Sequence, residues 1–238
     1  MDLWRILLIG AVVVGVVLFL LPGAEEVPGL IGGEEIEGGT YVVERAGQQA
    51  IEETFSVWRV EAGYRVATAT RVGGQVVEAV LVLDTGWNPI YYVERSKGQV
   101  SVRVAGGRPV ITRGTGLFKS ETVLTAFPPY AIVGGEVVGP WFAAYRYLQA
   151  QTRAGQAEVT AVFPAQRAVG PLVGQPADAV ELAVGGRLLP AERMIVRVGD
   201  QELTLYGQGE LLLAMTWPSA GLVFYLKEML PEGLTPVR

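Results

Sequence analysis

The chain's 238 residues suffice for one sizeable domain or two small ones, and half of them are hydrophobic. It has no cysteine and no histidine, which excludes disulfides, thiol catalysis, a lipidated N-terminal Cys, Ser-His triads and His-bound zinc. A net charge of −5 speaks against nucleic acid, which needs clustered Lys and Arg.

The N-terminus begins "MDLWRILLIGAVVVGVVLFLLPGAEE", with a charge-free apolar run from Ile6 to Leu21. A helix of that length reaches about 24 Å, and Leu3, Trp4 and a snorkelling Arg5 extend it towards the roughly 30 Å of a hydrocarbon core. Residues 1–22 therefore read as a transmembrane anchor that ties the protein to the cytoplasmic membrane. The alternative is a signal peptide cut after Ala24, which Pro22 at the −3 position disfavours. Arg5 precedes the run and the next basic residue is Arg45. The positive-inside rule then leaves the N-terminus in the cytoplasm and the bulk of the chain outside. Ala11 and Gly15 form a small-xxx-small pair, a weak signal for helix pairing.

Residues 23–39 hold five Glu, no basic residue and many Gly, and read as a flexible acidic linker. Glu25, Glu26, Glu34, Glu35 and Glu37 lack the spacing of a calcium loop, so a solvated tether is the simpler account. The folded domain is expected over 40–238.

From Thr40 onward short apolar segments end at Gly or Asp-x-Gly turns about every ten residues, the pattern of an antiparallel meander. "QVSVRV" alternates, with Val100, Val102 and Val104 on one face and Ser101 and Arg103 on the other. "VVEAVLVL" is apolar on both faces and predicts a central strand covered on both sides. "NPIYYVERSKGQVSVRVAGG" and "LPAERMIVRVGDQELTLYGQG" both read turn, Pro, strand, Gly turn, strand, and predict one similar hairpin in each half of the sheet.

Between them lies "GPWFAAYRYLQAQTR". Pro140 suits a first helical position, and Trp141, Ala144, Tyr145 and Leu148 recur at helical spacing. Arg146, Gln149 and Arg153 fall largely on the other side. This predicts one amphipathic helix lying across the sheet.

Strand pairs of the form G-Y-x-V, an LD-x-G-x-x-P turn, a G-x-L-x-P turn and a mid-chain aromatic helix together resemble a group of bacterial envelope proteins. These are uncharacterised domains and lipoprotein-carrier-like half-barrels built on one long curved antiparallel sheet. The resemblance spans Thr40 to about Leu230, rests on turn residues and carries over no site residue. In carrier-like members the concave face holds acyl chains, a role that the resemblance admits here.

The one catalytic candidate is Asp84, in "VLVLDTGW". Aspartic proteases present their carboxylates on paired Asp-Thr-Gly loops. Here the triplet occurs once, so catalysis would require a homodimer, with Ile132, Val133 and Gly134 as a loose match to a downstream apolar-apolar-Gly segment. Trp87 follows the triplet where such loops usually carry Ala or Ser. Turn chemistry offers the simpler account: Asp84 caps its own loop, and Asn88-Pro89 restarts the strand. "RGTGLFKS" lacks the Gly before Lys119 that a phosphate loop needs. The tryptophans and the Tyr91-Tyr92 pair are core aromatics or the lining of an amphiphile pocket.

The sequence thus predicts a mainly β protein: an N-terminal transmembrane helix, then a curved half-barrel meander with one packed helix. The expected function is non-enzymatic binding of a hydrophobic or amphipathic ligand such as a lipid, or of an envelope partner, on the concave face. A structural subunit of a membrane complex is the first alternative and a homodimeric aspartic protease using Asp84 the second. No cofactor and no metal is expected.

Overall fold

Apolar residues at every second position, punctuated by glycine turns, dictate the architecture. The computed structural model describes residues 29–46, 50–72, 74–114, 118–134, 137–152, 155–184 and 187–227. The expected membrane anchor lies outside these residues. No described helix is long and apolar enough to cross a membrane.

The first half supplies β1 (Glu34–Arg45), β2 (Ile51–Val60), β3 (Gly63–Val72), β4 (Gln75–Leu83), β5 (Pro89–Arg95), β6 (Gln99–Ala105), β7 (Arg108–Arg113) and β8 (Ser120–Val123). After β9 (Tyr130–Ile132) comes the helix α1 (Gly139–Thr152). The second half holds β10 (Ala157–Phe163), β11 (Ala168–Pro176), β12 (Val180–Val184), β13 (Arg187–Val198), β14 (Gln201–Gln208), β15 (Leu211–Trp217) and β16 (Leu222–Leu226).

These strands form one sheet in the order β8-β7-β6-β5-β4-β3-β2-β1-β16-β15-β14-β13-β11-β10-β9, with β12 paired to β13 off that path. The chain runs outward from the centre to β8, passes to β9 at the far edge, crosses through α1 to β10 and works back until β16 meets β1 (Val43 opposite Phe224). The two similar hairpins, β5–β6 and β13–β14, lie one in each half.

Accumulated twist curls so long a sheet. Here it curls beyond a half-barrel, until its edges face each other across a seam. Side chains bridge the seam. The Tyr130 hydroxyl donates to the Gly107 carbonyl at 2.6 Å, Arg113 Nη2 donates to the carbonyls of Pro164 and Ala165, and Arg167 Nη2 donates to Ser120 Oγ at 3.0 Å.

Three features correct the sequence reading. The ladder is antiparallel except where β9 runs parallel to β10, Ala131 opposite Ala161. A parallel pair needs a crossover, and α1 is that crossover. Second, α1 does not lie across the sheet but inside it, burying eleven of its fourteen residues. Trp141, Phe142, Tyr145 and Leu148 join Tyr41, Phe55, Tyr92 and Phe224 in one core, so the concave face is filled by the chain's own helix. Arg146, placed by periodicity on the outer side, is buried with them. Third, the fold begins before Thr40, because β1 starts at Glu34 and Leu30 is already buried.

The two-faced apolar strand β4 finds cover on both sides. Val77, Ala79, Leu81 and Leu83 face the core, whereas Val80 and Val82 pack outward with Ala67, Val93 and Leu30. Arg65 Nη1 donates to the Leu30 carbonyl at 2.7 Å, which fastens this outer layer.

Candidate functional site

Chemistry-bearing side chains gather at the two ends of α1. At the end beside the β4–β5 turn, Asp84 Oδ1 accepts the backbone N–H of Gly86 (2.8 Å) and of Asn88 (2.9 Å). Asn88 Nδ2 donates to both carboxylate oxygens, at 3.1 and 2.9 Å. Asp84 thus holds its own turn together. The turn is pressed against the β2–β3 turn, where a Cβ on Gly63 would lie 2.4 Å from the Asp84 carbonyl carbon. Only glycine fits, and its φ of +137° suits glycine too.

Trp87 leaves this turn with a left-handed φ of 66°. Such a conformation costs roughly 1–2 kcal/mol for a residue with a Cβ. Packing offsets it: the indole stacks on Tyr64 at 4.3 Å and 11°, and the Arg146 guanidinium lies 5.1 Å from its ring centre. Arg146 Nη2 pairs with Glu37 Oε2 at 2.6 Å, and Nη1 pairs with Glu210. Burial pushes the Glu37 carboxyl above its ordinary pKa, outweighing the pull of Arg146. The Glu34 carboxylate pairs at 3.7 Å with Arg59, so Glu34 and Glu37 are strand residues rather than tether.

At the other end of α1 stands Glu53, fully buried on β2. Its Oε1 accepts the Val138 N–H at 2.6 Å, just where the helix begins. Burial raises its pKa to about 8, and the nearby Glu94 charge adds to the rise. The helix-start N–H groups of Val138 and Gly139 pull the other way. Neither Glu53 Oε2 nor Thr68 Oγ1 has a hydrogen bond of proper geometry. Tyr92, inward on β5, donates its hydroxyl to Glu94 at 2.6 Å, while Tyr91 packs outward beside the Leu30 layer.

Glu94 also lines an open cavity of about 710 Å³ at a mouth of the barrel. Val72, Val77 and Val100 supply its apolar wall, and Lys97 and Arg113 its positive charge. A shallower hollow of about 490 Å³ lies beside Phe127 and Pro129, near the seam.

Of the sequence candidates, Asp84 is a turn builder and lies at the Arg146 end, beside the Gly63 turn. Ile132 ends β9 in the core, with Val133 and Gly134 after it. Lys119 pairs with Glu121 at 2.9 Å just before β8. Glu25 and Glu26 lie outside the described residues. Sequence reasoning passed over Glu53 and Thr68 and put Arg146 on the outer side of the helix. The signal for Glu53 was present in "IEETFSV", where Ile51, Glu53, Phe55 and Val57 share one face and Glu53 is the one charge on it.

No known family model matches the sequence, and no curated protein matches it. A similar solved structure is the β-barrel-like protein of the domain of unknown function DUF1849 from Brucella abortus, with a TM-score of 0.55. The match has 9% identity and covers 82% of this chain and 96% of that one. At that identity the likeness concerns the fold alone, one large curved β-sheet.

Proposed function

We propose that this chain is a membrane-tethered, extracytoplasmic, non-enzymatic β protein that docks a hydrophobic partner of the cell envelope. The observation that carries this reading is the pairing of a filled barrel with apolar side chains left outside it. A sheet with an empty interior favours a ligand, whereas a sheet filled by its own helix has its free apolar surface elsewhere. Phe118 is 92% exposed, Val123 60% and Phe127 76%, all along β8 and the segments that flank it. β8 is also an edge strand of the sheet. Edge strands and exposed aromatics are what a protein interface uses.

The test is a photo-crosslinking residue at Phe127 in cells that make the full chain, with Gln208 as the exposed control. A discrete adduct at Phe127 and none at Gln208 is the expected result. No adduct above control at Phe127, Val123 or Phe118 removes the docking reading.

A second reading, an amphiphile held at the barrel mouth, is favoured by the cavity that combines Val72, Val77 and Val100 with Lys97 and Arg113. Saturable binding of a fluorescent fatty-acid analogue by the full chain, weakened by Arg113→Gln, would support it. Absence of saturable binding removes it and leaves the docking reading standing.

A further inference from the structure

The strand β2 buries a carboxyl with no cation beside it among the described residues. We infer that Glu53 is carried as the neutral acid, its proton lying between Oε2 and Thr68 Oγ1, and that this proton fastens the first turn of α1 to β2 and β3. Losing it unseats the helix that fills the barrel.

The geometry leaves two buried atoms without partners, Glu53 Oε2 and Thr68 Oγ1, on adjacent strands. One proton satisfies both, with Oε2–H donating and Oγ1 accepting, while Oε1 keeps the Val138 N–H at 2.6 Å. A carboxylate would place a full charge in an apolar core, which costs far more than burying the neutral acid.

Among the described residues, no cation faces Glu53. From β1, Tyr41 has committed its hydroxyl to the Leu212 carbonyl at 2.6 Å. From β5, Tyr92 has committed its own to Glu94, and Glu94 brings a like charge. From β3, Thr70 donates to the Glu52 carbonyl at 2.8 Å, which leaves Thr68 as the available partner. From α1 come the N–H groups of Val138 and Gly139. These favour a carboxylate, but burial outweighs them and sets the pKa at about 8.

The direction of the pH effect follows. The folded pKa lies above the unfolded value of 4.5, so the folded chain holds a proton that the unfolded chain has released. The stability tied to this proton is complete below about pH 4.5. It declines as pH rises through that window and is gone above about pH 8.

The experiment is denaturant unfolding of the full chain across this pH window, for the wild type, Glu53→Gln and Thr68→Val. The glutamine amide reproduces the neutral acid, with Oε1 accepting from Val138 and Nε2 donating to Thr68. Relative to Glu53→Gln, the wild-type unfolding constant should grow up to about tenfold per pH unit, the signature of one proton. Thr68→Val, which deprives the acid of its acceptor, should move the alkaline limit to lower pH. Parallel pH curves for wild type and Glu53→Gln overturn the inference. So does an upward move in Thr68→Val, since Thr68 would then be donating to a carboxylate. Should a variant fail to fold, the wild type alone decides by infrared spectroscopy. A protonated-carboxyl stretch should persist at about pH 6.5, where ordinary carboxyls have ionised, and vanish above about pH 9; its absence at about pH 6.5 overturns the assignment.

Discussion

Arg146 Nη2 and Glu37 Oε2 meet at 2.6 Å, although one sits on α1 and the other on the first strand of the sheet. The pair fixes how deeply the helix enters the barrel, because the same guanidinium is stacked between Trp87 and Phe142. Removing the arginine leaves Glu37 largely buried without its cation and strips a planar group from the stack. Arg146→Ala should therefore cost about 3–5 kcal/mol, the range for breaking a buried pair. Glu210 is 85% exposed, so Glu210→Gln should cost under about 1 kcal/mol despite contacting the same guanidinium. Denaturant midpoints at one pH check both. Equal losses would mean that the buried Glu37 pair contributes no more than the exposed Glu210 contact.

The strand half of the fold was legible because burial of one sheet face imposes period two, and glycines mark each reversal. The position of α1 was not, because a helix whose apolar face and Arg146 are both buried looks amphipathic whether it lies on a sheet or inside one. Periodicity put Arg146 in solvent, since Glu37 and Glu210 are distant in sequence and nothing local announces the pairing. The parallel β9–β10 contact was hidden for a similar reason. Tyr130–Ile132 is too short to read as a strand, and only the crossover through α1 brings it to Thr160–Val162. The charge at Glu53 on an apolar face was visible in the sequence. Its meaning required the helix start at Val138, 85 residues later.

Asp84 gives the clearest distinction between a turn and an active site. Its Oδ1 accepts three hydrogen bonds and its Oδ2 one, all within its own loop. Asp84→Asn keeps one acceptor oxygen but sets an amide against Asn88 Nδ2. The fold should persist with a loss of about 0.5–2 kcal/mol, as for other capping contacts. A peptidase activity of the wild type that this substitution abolishes would overturn the turn assignment.

Gly207 tests whether α1 is seated as tightly as its burial implies. A Cβ there would fall 1.8 Å from Tyr145 Oη and 2.2 Å from Cζ, so the ring tip occupies the space a side chain would take. The Tyr145 hydroxyl also donates to the Gly209 carbonyl at 3.1 Å, which limits its retreat. Gly207→Ala should cost about 1–3 kcal/mol through overpacking. Tyr145→Leu shortens the side chain and should make the second change cheaper, with a coupling of about 0.5–3 kcal/mol in the double-mutant cycle. Additive losses would show that the helix can shift away from β14.

Leu30 marks how far towards the N-terminus the folded domain reaches. The sequence placed that point near Thr40, but Leu30 is 1% exposed and packs with Ala67, Val80, Val82 and Val93 on the outer face. Its carbonyl takes the Arg65 guanidinium, which lies 4.8 Å from the Trp58 ring centre. The neighbouring Ile31 is 63% exposed. If Leu30 is a peg that docks the chain, Leu30→Ala should cost about 2–5 kcal/mol, whereas Ile31→Ala should stay within about 0.5 kcal/mol. Two adjacent aliphatic residues of like size then differ only by burial, so composition cannot account for the contrast. A Leu30→Ala midpoint equal to that of Ile31→Ala would return residues 29–33 to the tether. With the peg in place, eight residues lie between Leu21 and Leu30, nine Cα steps in all. Fully extended they reach about 30 Å. A domain anchored through Ile6–Leu21 would then be held close to the bilayer, where a short-range membrane quencher should reduce the fluorescence of Trp58 more in the wild type than after a Gly-Ser insertion before Gly29.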